Sequence, residues 1–411
     1  MSTVSERIND YLDNAHDRQV AFLAELVRTP TDNPPGDCAA AAEVAAELLE
    51  GLGFAVERHA VPADAVQANG MVSATNLVVR RRFGDGPVVA LNAHGDVVPP
   101  GDGWTKEPYG AEIHDGRMYG RGVAVSKSDF ATYAFALKAL EEAGAALAGT
   151  VELHLTYDEE VGGGIGPQWL LQQGISKPDY AISAGFSYGV VTAHNGCLHL
   201  EAEIKGRLSH AALPQNGVDA LEAANGVLSA LYDARKGYAT KKSNVAGIDH
   251  PTLVVGLIEG GINTNVVPDR VRLRLDRRLI PEETGGEVEA ELGAVIEDAV
   301  SRYSGASVDI RRIMLAEPLA PVPGLDRLVE PFVRQGSAIM GETVSTHGVP
   351  IYTDARHYAL AGVPTILYGA GPRSVEEAGG HGADENLVLD DLRKATEVVA
   401  LALADLLGDQ S

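Results

Sequence analysis

The chain has 411 residues, of which 45% are hydrophobic and 22% are charged, a balance typical of a globular enzyme and unlike that of a disordered or fibrous chain. Its 57 acidic residues outnumber its 33 basic residues and give a formal net charge of −24, which argues against nucleic acid and anionic membrane surfaces as partners. The length exceeds what a single hydrophobic core usually supports, so it predicts two domains.

The first part of the chain alternates helical and strand patterns. Ser5–Arg28 reads as an amphipathic helix, and Ala39–Leu52 as an Ala/Leu/Glu-rich helix ended by Gly53. Short β-branched runs follow, separated by turns or by the helix-like segment Phe130–Gly144; they are Asn76–Val79, Val88–Asn92 and Val151–Thr156. This alternation predicts an α/β domain with its functional groups at the carboxyl ends of the strands.

From Cys197 onward the order of elements changes to strand, helix, strand, strand, helix, strand. The segments are Leu198–Lys205, Val218–Asp233, Leu253–Glu259, Val271–Leu279, Glu282–Tyr303 and Ser307–Ile313. This βαββαβ order is typical of the ferredoxin-like unit. After Leu315 the helix, strand and helix pattern returns and ends with the apolar-periodic Leu389–Leu407. We therefore predict a domain formed by residues 1–196 and 315–411, with a second domain, 197–314, inserted into it.

Cysteine usage and the N-terminus bear on the cellular compartment. Cys38 and Cys197 are far apart and lack C-x-x-C spacing, so neither a disulfide framework nor a thiolate zinc site is indicated. Residues 1–20 are studded with charges, and no run of about 18 apolar residues occurs. These features predict a cytoplasmic protein without a membrane segment.

Polar residues that suit catalysis occur in separate clusters, each after a predicted strand or a turn. His94 and Asp96 fall two residues apart at a strand end, so they can face the same way and the carboxylate can orient an imidazole bound to a metal. The neighbours Glu159 and Glu160 point to different sides, which lets one bind a metal while the other polarises water. Taken singly, the first pair also suits a structural role and the second a solvated acidic turn.

These clusters, together with Gly120-Arg121-Gly122 and Gly380-His381-Gly382, resemble the zinc-dependent superfamily of aminoacylase, acetylornithine deacetylase, succinyl-diaminopimelate desuccinylase and carboxypeptidase G. Two further matches, at 206–214 and 260–268, lie in the inserted segment, so the resemblance covers nearly the whole chain. It implies a phosphorylase/hydrolase-like α/β catalytic domain whose inserted ferredoxin-like domain acts as a lid and joins two copies in a homodimer.

The resemblance implies a role for each matched residue of the first domain. His94, Glu160 and His381 would be metal ligands. Asp96 would orient His94, and Glu159 would be the general base.

The resemblance also assigns residues that would meet the substrate. His210 would stabilise the oxyanion from the lid of the partner subunit. Asn265 and Arg278 fall where the family grips a substrate carboxylate, a task that suits a guanidinium because it donates two parallel hydrogen bonds. Arg356 is either a further substrate contact or part of a structural ion pair.

The chain departs from the family at two of the five metal-ligand positions. Relatives read G-R-G-x-x-D-x-K, in which the aspartate bridges two zinc ions, whereas this chain has Val125 at that position. Asp129, one helical turn later, is a candidate to reach back. The second position, an acidic residue in relatives, is Gly185, and His194 and His199 offer nitrogen donors beyond it. A site with one zinc ion or none is therefore predicted in place of a dinuclear one.

The pattern favours hydrolysis of the amide bond of an N-acyl amino acid or a dipeptide-like small carboxylate, with Glu159 assisting the attack of water. Two alternatives stay open at this point. One is a metal-independent proton-transfer enzyme, such as a racemase, a lyase or a ring-opening enzyme, in which Glu159 works with His94 or His381. The other is a protein that binds a carboxylate ligand without converting it.

Overall fold

The structure is a computed structural model that describes residues 2–374 and 376–408. In chain order its α-helices are α1 (Val4–Arg28), α2 (Ala39–Gly51), α3 (Ala63–Ala68), α4 (Lys127–Glu142), α5 (Pro167–Gln172), α6 (Ala220–Lys236), α7 (Gly285–Ser301), α8 (Asp326–Met340), α9 (Ala355–Leu360) and α10 (Leu389–Leu407).

The strands complete the secondary structure. They are β1 (Val56–Ala60), β2 (Thr75–Arg82), β3 (Val88–His94), β4 (Glu112–His114), β5 (Arg117–Tyr119), β6 (Thr150–Thr156), β7 (Tyr180–Ser183), β8 (Val190–His194), β9 (Gly196–Lys205), β10 (Ser209–His210), β11 (Thr252–Gly260), β12 (Val266–Val267), β13 (Arg270–Leu279), β14 (Ser307–Ala316), β15 (Thr346–Val349), β16 (Thr365–Leu367) and β17 (Asn386–Val388).

The chain divides into two compact units. The first comprises the residues up to Thr192, the segment Pro321–His347 and the chain from Thr353 onward. The second comprises Ala193–Ala320 and the short segment Gly348–Tyr352. The α/β class predicted from the alternating pattern is confirmed. Within the described residues, no helix is both long and apolar enough to cross a membrane.

The first unit is built on a mixed eight-stranded sheet with the order β1-β2-β6-β3-β7-β16-β8-β15. β3 runs parallel to β6 and β7, and β7 runs parallel to β16, whereas β1 and β2 are antiparallel to their neighbours. In the register of β3 and β6, His94 lies beside Thr156, so both strands end at the same level. Residues that follow these strand ends are thereby gathered at one edge of the sheet.

Helices bury their apolar faces against this sheet and against one another. In α1 the buried residues Ile8, Leu12 and Leu23 recur at helical spacing, and Thr3 forms a capping box with Glu6 that satisfies the first free N–H groups. α4 is buried along nearly its whole length and packs against α1 and α10. This packing against α1 and α10 holds α4 in place. The helix begins at Lys127, five residues after Gly122.

The second unit follows the order βαββαβ, with a four-stranded antiparallel sheet in the order β11-β13-β9-β14. Along β9, alternate residues Leu198, Leu200 and Ala202 enter the apolar core shared with α6 and α7. The intervening residues, including His199 and Glu201, therefore lie on the opposite face of the sheet. Asp219 caps α6 by accepting the backbone N–H groups of two residues in its first turn.

Candidate functional site

Four predicted residues meet at the carboxyl ends of β3 and β6. His94 is the last residue of β3, and Glu159 and Glu160 form a 3-10 turn shortly after β6. The Nε2 atom of His94 lies 4.0 Å from Oε2 of Glu159, and Nε2 of His381 lies 3.3 Å from Oε1 of Glu160. The first unit therefore brings two imidazoles and two carboxylates to one place.

Asp96 ties these groups together. Its Oδ1 lies 3.5 Å from Nδ1 of His94, and its two oxygens accept the backbone N–H groups of Glu159 and Glu160 at 3.2 and 3.1 Å. Asn33 donates to the same carboxylate at 3.0 Å. Because Asp96 is fully buried, it fixes the ring of His94 and the acidic turn relative to each other.

Burial sets the proton affinity of the acids at this edge. It raises the pKa of Glu159 to about 7, against the opposing charge of His94. Burial and the charge of Asp96 raise the pKa of Asp158 to about 7 as well. Burial opposes ionisation of His94, but the hydrogen bond of Asp96 and the charge of Glu159 prevail and hold its pKa well above the usual value. The hydrogen bond to Glu160 raises the pKa of His381.

The segment that carries Val125 is anchored by Glu385. One oxygen of Glu385 accepts hydrogen bonds from Nη1 of Arg121 at 2.7 Å and from the backbone N–H of Gly122 at 3.0 Å. The other oxygen accepts hydrogen bonds from the backbone N–H groups of Ala124 and Val125 at 3.0 and 3.3 Å. Arg121 and Glu385 are both almost fully buried. This segment is thus held in place by an ion pair and three backbone hydrogen bonds.

Asp129 does not take over the role of the missing bridging carboxylate. Its oxygens accept the backbone N–H groups of Gly185 at 3.2 Å and of Ala370 at 2.7 Å, and burial raises its pKa to about 7. A Cβ atom on Gly185 would lie 2.6 Å from the nitrogen of Tyr368 and 2.7 Å from the carbonyl carbon of Leu367. The backbone therefore leaves no room for an acidic side chain at position 185.

Arg356 forms hydrogen bonds to the backbone next to the acidic turn at residues 159–161. It donates to the carbonyl of Thr353 at 2.6 Å and to that of Gly162 at 2.5 Å, and His357 contacts the same Gly162 oxygen at 3.0 Å. Arg356 is buried, and both of these hydrogen bonds are to backbone carbonyls of the first unit. Its assignment as a substrate contact stays a prediction.

A buried carboxyl that the sequence patterns did not single out lies beside this turn. Asp354 is 2% exposed, and neither of its oxygens has a hydrogen-bond partner among the described residues. Burial and the charges of Glu159 and Asp158 raise its pKa well above the usual value. The adjacent Arg356 was the only signal in the sequence that pointed to this position.

Three residues predicted to meet the substrate belong to the second unit. His210 is exposed on β10, and its Nδ1 accepts the N–H of Ala212 at 3.0 Å, so the neutral ring carries its proton on Nε2. The backbone carbonyl of Asn265 accepts the N–H of Ala211, next to His210. Arg278 is about one-third exposed and bonds to Asp276.

The donor set of the first unit can hold a metal ion. His94, Glu159 and Glu160 offer ligand atoms within 4.8 Å of one another, and His381 reaches Glu160. Two histidines and one carboxylate are a known catalytic zinc set, with a fourth position open. In the part of the chain that the structure describes, the side chain of Val125 offers no bridging oxygen and Gly185 offers no side-chain ligand.

Comparison with known proteins gives consistent results. Residues 90–405 match the family model described as peptidase family M20/M25/M40. An acetylornithine deacetylase from Pectobacterium carotovorum subsp. carotovorum (strain PC1) is 28% identical over 352 residues, 85% of this chain and 86% of that protein. A succinyl-diaminopimelate desuccinylase from Acidiphilium cryptum (strain JF-5) is 29% identical over 393 residues, 92% of this chain and 96% of that protein.

The fold is similar to that of solved structures. The dipeptidase Dug1p from Saccharomyces cerevisiae superposes with a TM-score of 0.77 over the full length of both chains, at 15% identity. At this level of identity the likeness concerns the fold alone. It agrees with the α/β architecture described above.

Proposed function

Because the chain belongs to peptidase family M20/M25/M40, we propose that it hydrolyses the amide bond of an N-acyl amino acid or a dipeptide-like small carboxylate. The family consists of hydrolases, and the chain is an amidohydrolase of the zinc peptidase superfamily. The names of two relatives, a deacetylase and a desuccinylase, support the substrate class. The observation that carries the proposal is Glu159, whose side chain is only 13% exposed, beside His94 and the Glu160–His381 pair.

Glu159 is the base of the proposed reaction. Its carboxylate takes a proton from the water that attacks the amide carbonyl, and it returns the proton to the amine nitrogen as the C–N bond breaks. A pKa near 7 suits both steps, because a group whose pKa lies near the working pH accepts and releases a proton with similar ease. Asp96 keeps the base in position through its hydrogen bonds to the acidic turn.

We assign His94, Glu160 and His381 to a single zinc ion. When bound, such an ion polarises the carbonyl oxygen of the substrate as a Lewis acid. Support comes from the grouping of two imidazoles and a carboxylate at one sheet edge. The valine at position 125 and the glycine at position 185 provide no further side-chain ligand. A metal-free proton-transfer reaction is the competing outcome of the experiment that follows.

Zinc content distinguishes these outcomes. We expect His381→Ala to bind about one zinc ion per chain fewer than the unmodified protein, because one of three ligands is lost. His114→Ala, which removes an exposed histidine that pairs with Glu112, should lose none. Elemental mass spectrometry after incubation with excess zinc and desalting gives both values. A loss of two ions would indicate a dinuclear site, no loss would show that His381 is not a ligand, and zinc in neither protein would indicate metal-free chemistry.

We propose that Arg278 and Asn265 hold the substrate carboxylate and that His210 stabilises the oxyanion in the site of the partner subunit. The proton on Nε2 of His210 supports this role, since an exposed N–H donor is what an oxyanion requires.

A homodimer through the second unit accompanies this proposal. β11 is an edge strand of the four-stranded sheet, and Val254, Leu257 and Ile258 on it are each about half exposed. Long apolar edge strands are rarely left open to solvent because their free N–H and C=O groups pair with other strands. A second copy related by a twofold axis would cover this edge.

Complementation between two inactive variants tests the shared site. His210→Ala is expected to lower turnover about 100- to 1000-fold while KM changes little. When this variant is co-expressed with Glu159→Gln, each mixed dimer contains one site with both native residues, so about one quarter of the native activity should return. Absence of any recovery in dimers that are shown to be mixed would contradict action across subunits.

A further inference from the structure

A second group of metal-ligand side chains lies in the second unit. Cys197 and His199 are two residues apart on β9, so they point to the same face of the sheet, opposite the helices. Asp276 of β13 lies directly across from His199 in the antiparallel register. The sulfur, the imidazole nitrogen and a carboxylate oxygen of these three residues all lie within 4.8 Å of one another.

We propose that Cys197, His199 and Asp276 form a second metal site, selective for zinc or a similar soft divalent ion. Nε2 of His199 lies 3.0 Å from Oδ2 of Asp276, and Sγ of Cys197 lies 3.9 Å from the same oxygen. Ligand atoms around a tetrahedral zinc ion are roughly 3.3–3.7 Å apart at the usual bond lengths. The observed separations lie on either side of this range, so small side-chain shifts would complete the site.

The ligand types determine which ions the site accepts. A thiolate with an imidazole favours zinc and its transition-metal neighbours, whereas calcium and magnesium prefer oxygen ligands alone. Three protein ligands leave a fourth coordination position open. The side chains of His199 and Asp276 are 35% and 33% exposed, so an ion can enter from solvent, while the buried Cys197 closes the inner side.

Arg278 positions the carboxylate of this group. Its Nε donates to Oδ1 of Asp276 at 3.0 Å, and its Nη2 donates to Oδ2 at 3.2 Å. A metal-bound carboxylate is commonly held in this way by a hydrogen bond to its other oxygen. The ion would take the place of the proton that His199 now shares with Asp276, and Arg278 would keep its bond to Oδ1.

This site does not depend on the hydrolytic function. Its ligands come from two strands of the second unit, whereas His94, Glu160 and His381 belong to the first. Removal of the first set by His381→Ala should therefore leave the second set able to bind. The zinc lost in that variant and the ion held by Cys197 can be measured separately.

Cobalt titration tests the proposal, because a thiolate bound to cobalt(II) produces a charge-transfer band in the near ultraviolet. We expect His381→Ala protein to develop this band, saturating at one equivalent per chain. Cys197→Ser introduced into the same protein should abolish it, and Cys38→Ser, which removes the buried thiol of the first unit, should leave it unchanged. His199→Gln, which keeps the thiol, should raise the Kd for cobalt more than about tenfold.

Two results would overturn the assignment. One is absence of the band at saturating cobalt, which would leave His199, Asp276 and Arg278 as an ion cluster only. The other is a band that Cys38→Ser removes and Cys197→Ser does not. If Cys197→Ser fails to give a native circular dichroism spectrum, an unchanged Kd in His199→Gln refutes the proposal on its own.

Discussion

Glu159→Gln is expected to lower the rate of amide hydrolysis about 100- to 10,000-fold, the usual contribution of a positioned general base. The amide has the size of the carboxyl group but cannot take a proton from water. The backbone N–H of residue 159 would still donate to Asp96, so the turn should keep its shape. Substrate affinity and zinc content should therefore stay close to those of the native protein.

The measurement is kcat and KM on the best substrate from a panel of N-acyl amino acids and dipeptides. Glu47→Gln, the same change at an exposed position of α2, is the matched control. It should change neither kcat nor KM. A fall in kcat of less than about tenfold would show that Glu159 is not the base. A fall that matches a loss of zinc would show that it acts as a ligand instead.

Glu385→Ala should destabilise the first unit by about 3–5 kcal/mol in free energy of unfolding, because it leaves the buried Arg121 unpaired. The same change removes the acceptor of the N–H groups of Gly122, Ala124 and Val125. Glu377→Ala is the control, since Glu377 is 45% exposed and lies 4.0 Å from its arginine partner. It should cost less than about 1 kcal/mol.

Tryptophan fluorescence during urea unfolding reports this effect. Both tryptophans, Trp104 and Trp169, belong to the first unit, and the guanidinium of Arg121 lies over the ring of Trp104 at 5.2 Å. The midpoint for Glu385→Ala should fall clearly below that for Glu377→Ala. Equal midpoints would show that water satisfies Arg121 and the three N–H groups in place of the carboxylate.

Much of the fold could be read from apolar periodicity. The helices predicted at 5–28, 39–52 and 389–407 and the strands at 88–92 and 151–156 are confirmed to within a few residues. The helix predicted from Phe130 begins three residues earlier, at Lys127, because that lysine is buried and donates to the carbonyls of Leu26 and Thr29. Such a partner lies about a hundred residues away and leaves no local signal.

The site shows the same division between local and distant information. His94, Glu159 and Glu160 lie at or just after the ends of strands. Those strands were predictable from the sequence, so these residues could be identified from it. Glu385 acts across some 260 positions, and nothing in its surrounding sequence indicates an anchor. The group formed by Cys197 and Asp276 depends on the register of β9 and β13, which spacing along one chain segment cannot give.

The backbone around Gly185 also bears on how this site could change through mutation. An acidic residue at position 185 requires changes at other positions as well. Its Cβ atom would lie less than 3 Å from the main chain of Leu367 and Tyr368. A second acidic ligand at this position would need a prior shift of that neighbouring segment, which provides no ligand by itself. Engineering a second ion into the proposed single-ion site therefore requires redesign of the Leu367–Tyr368 segment before position 185.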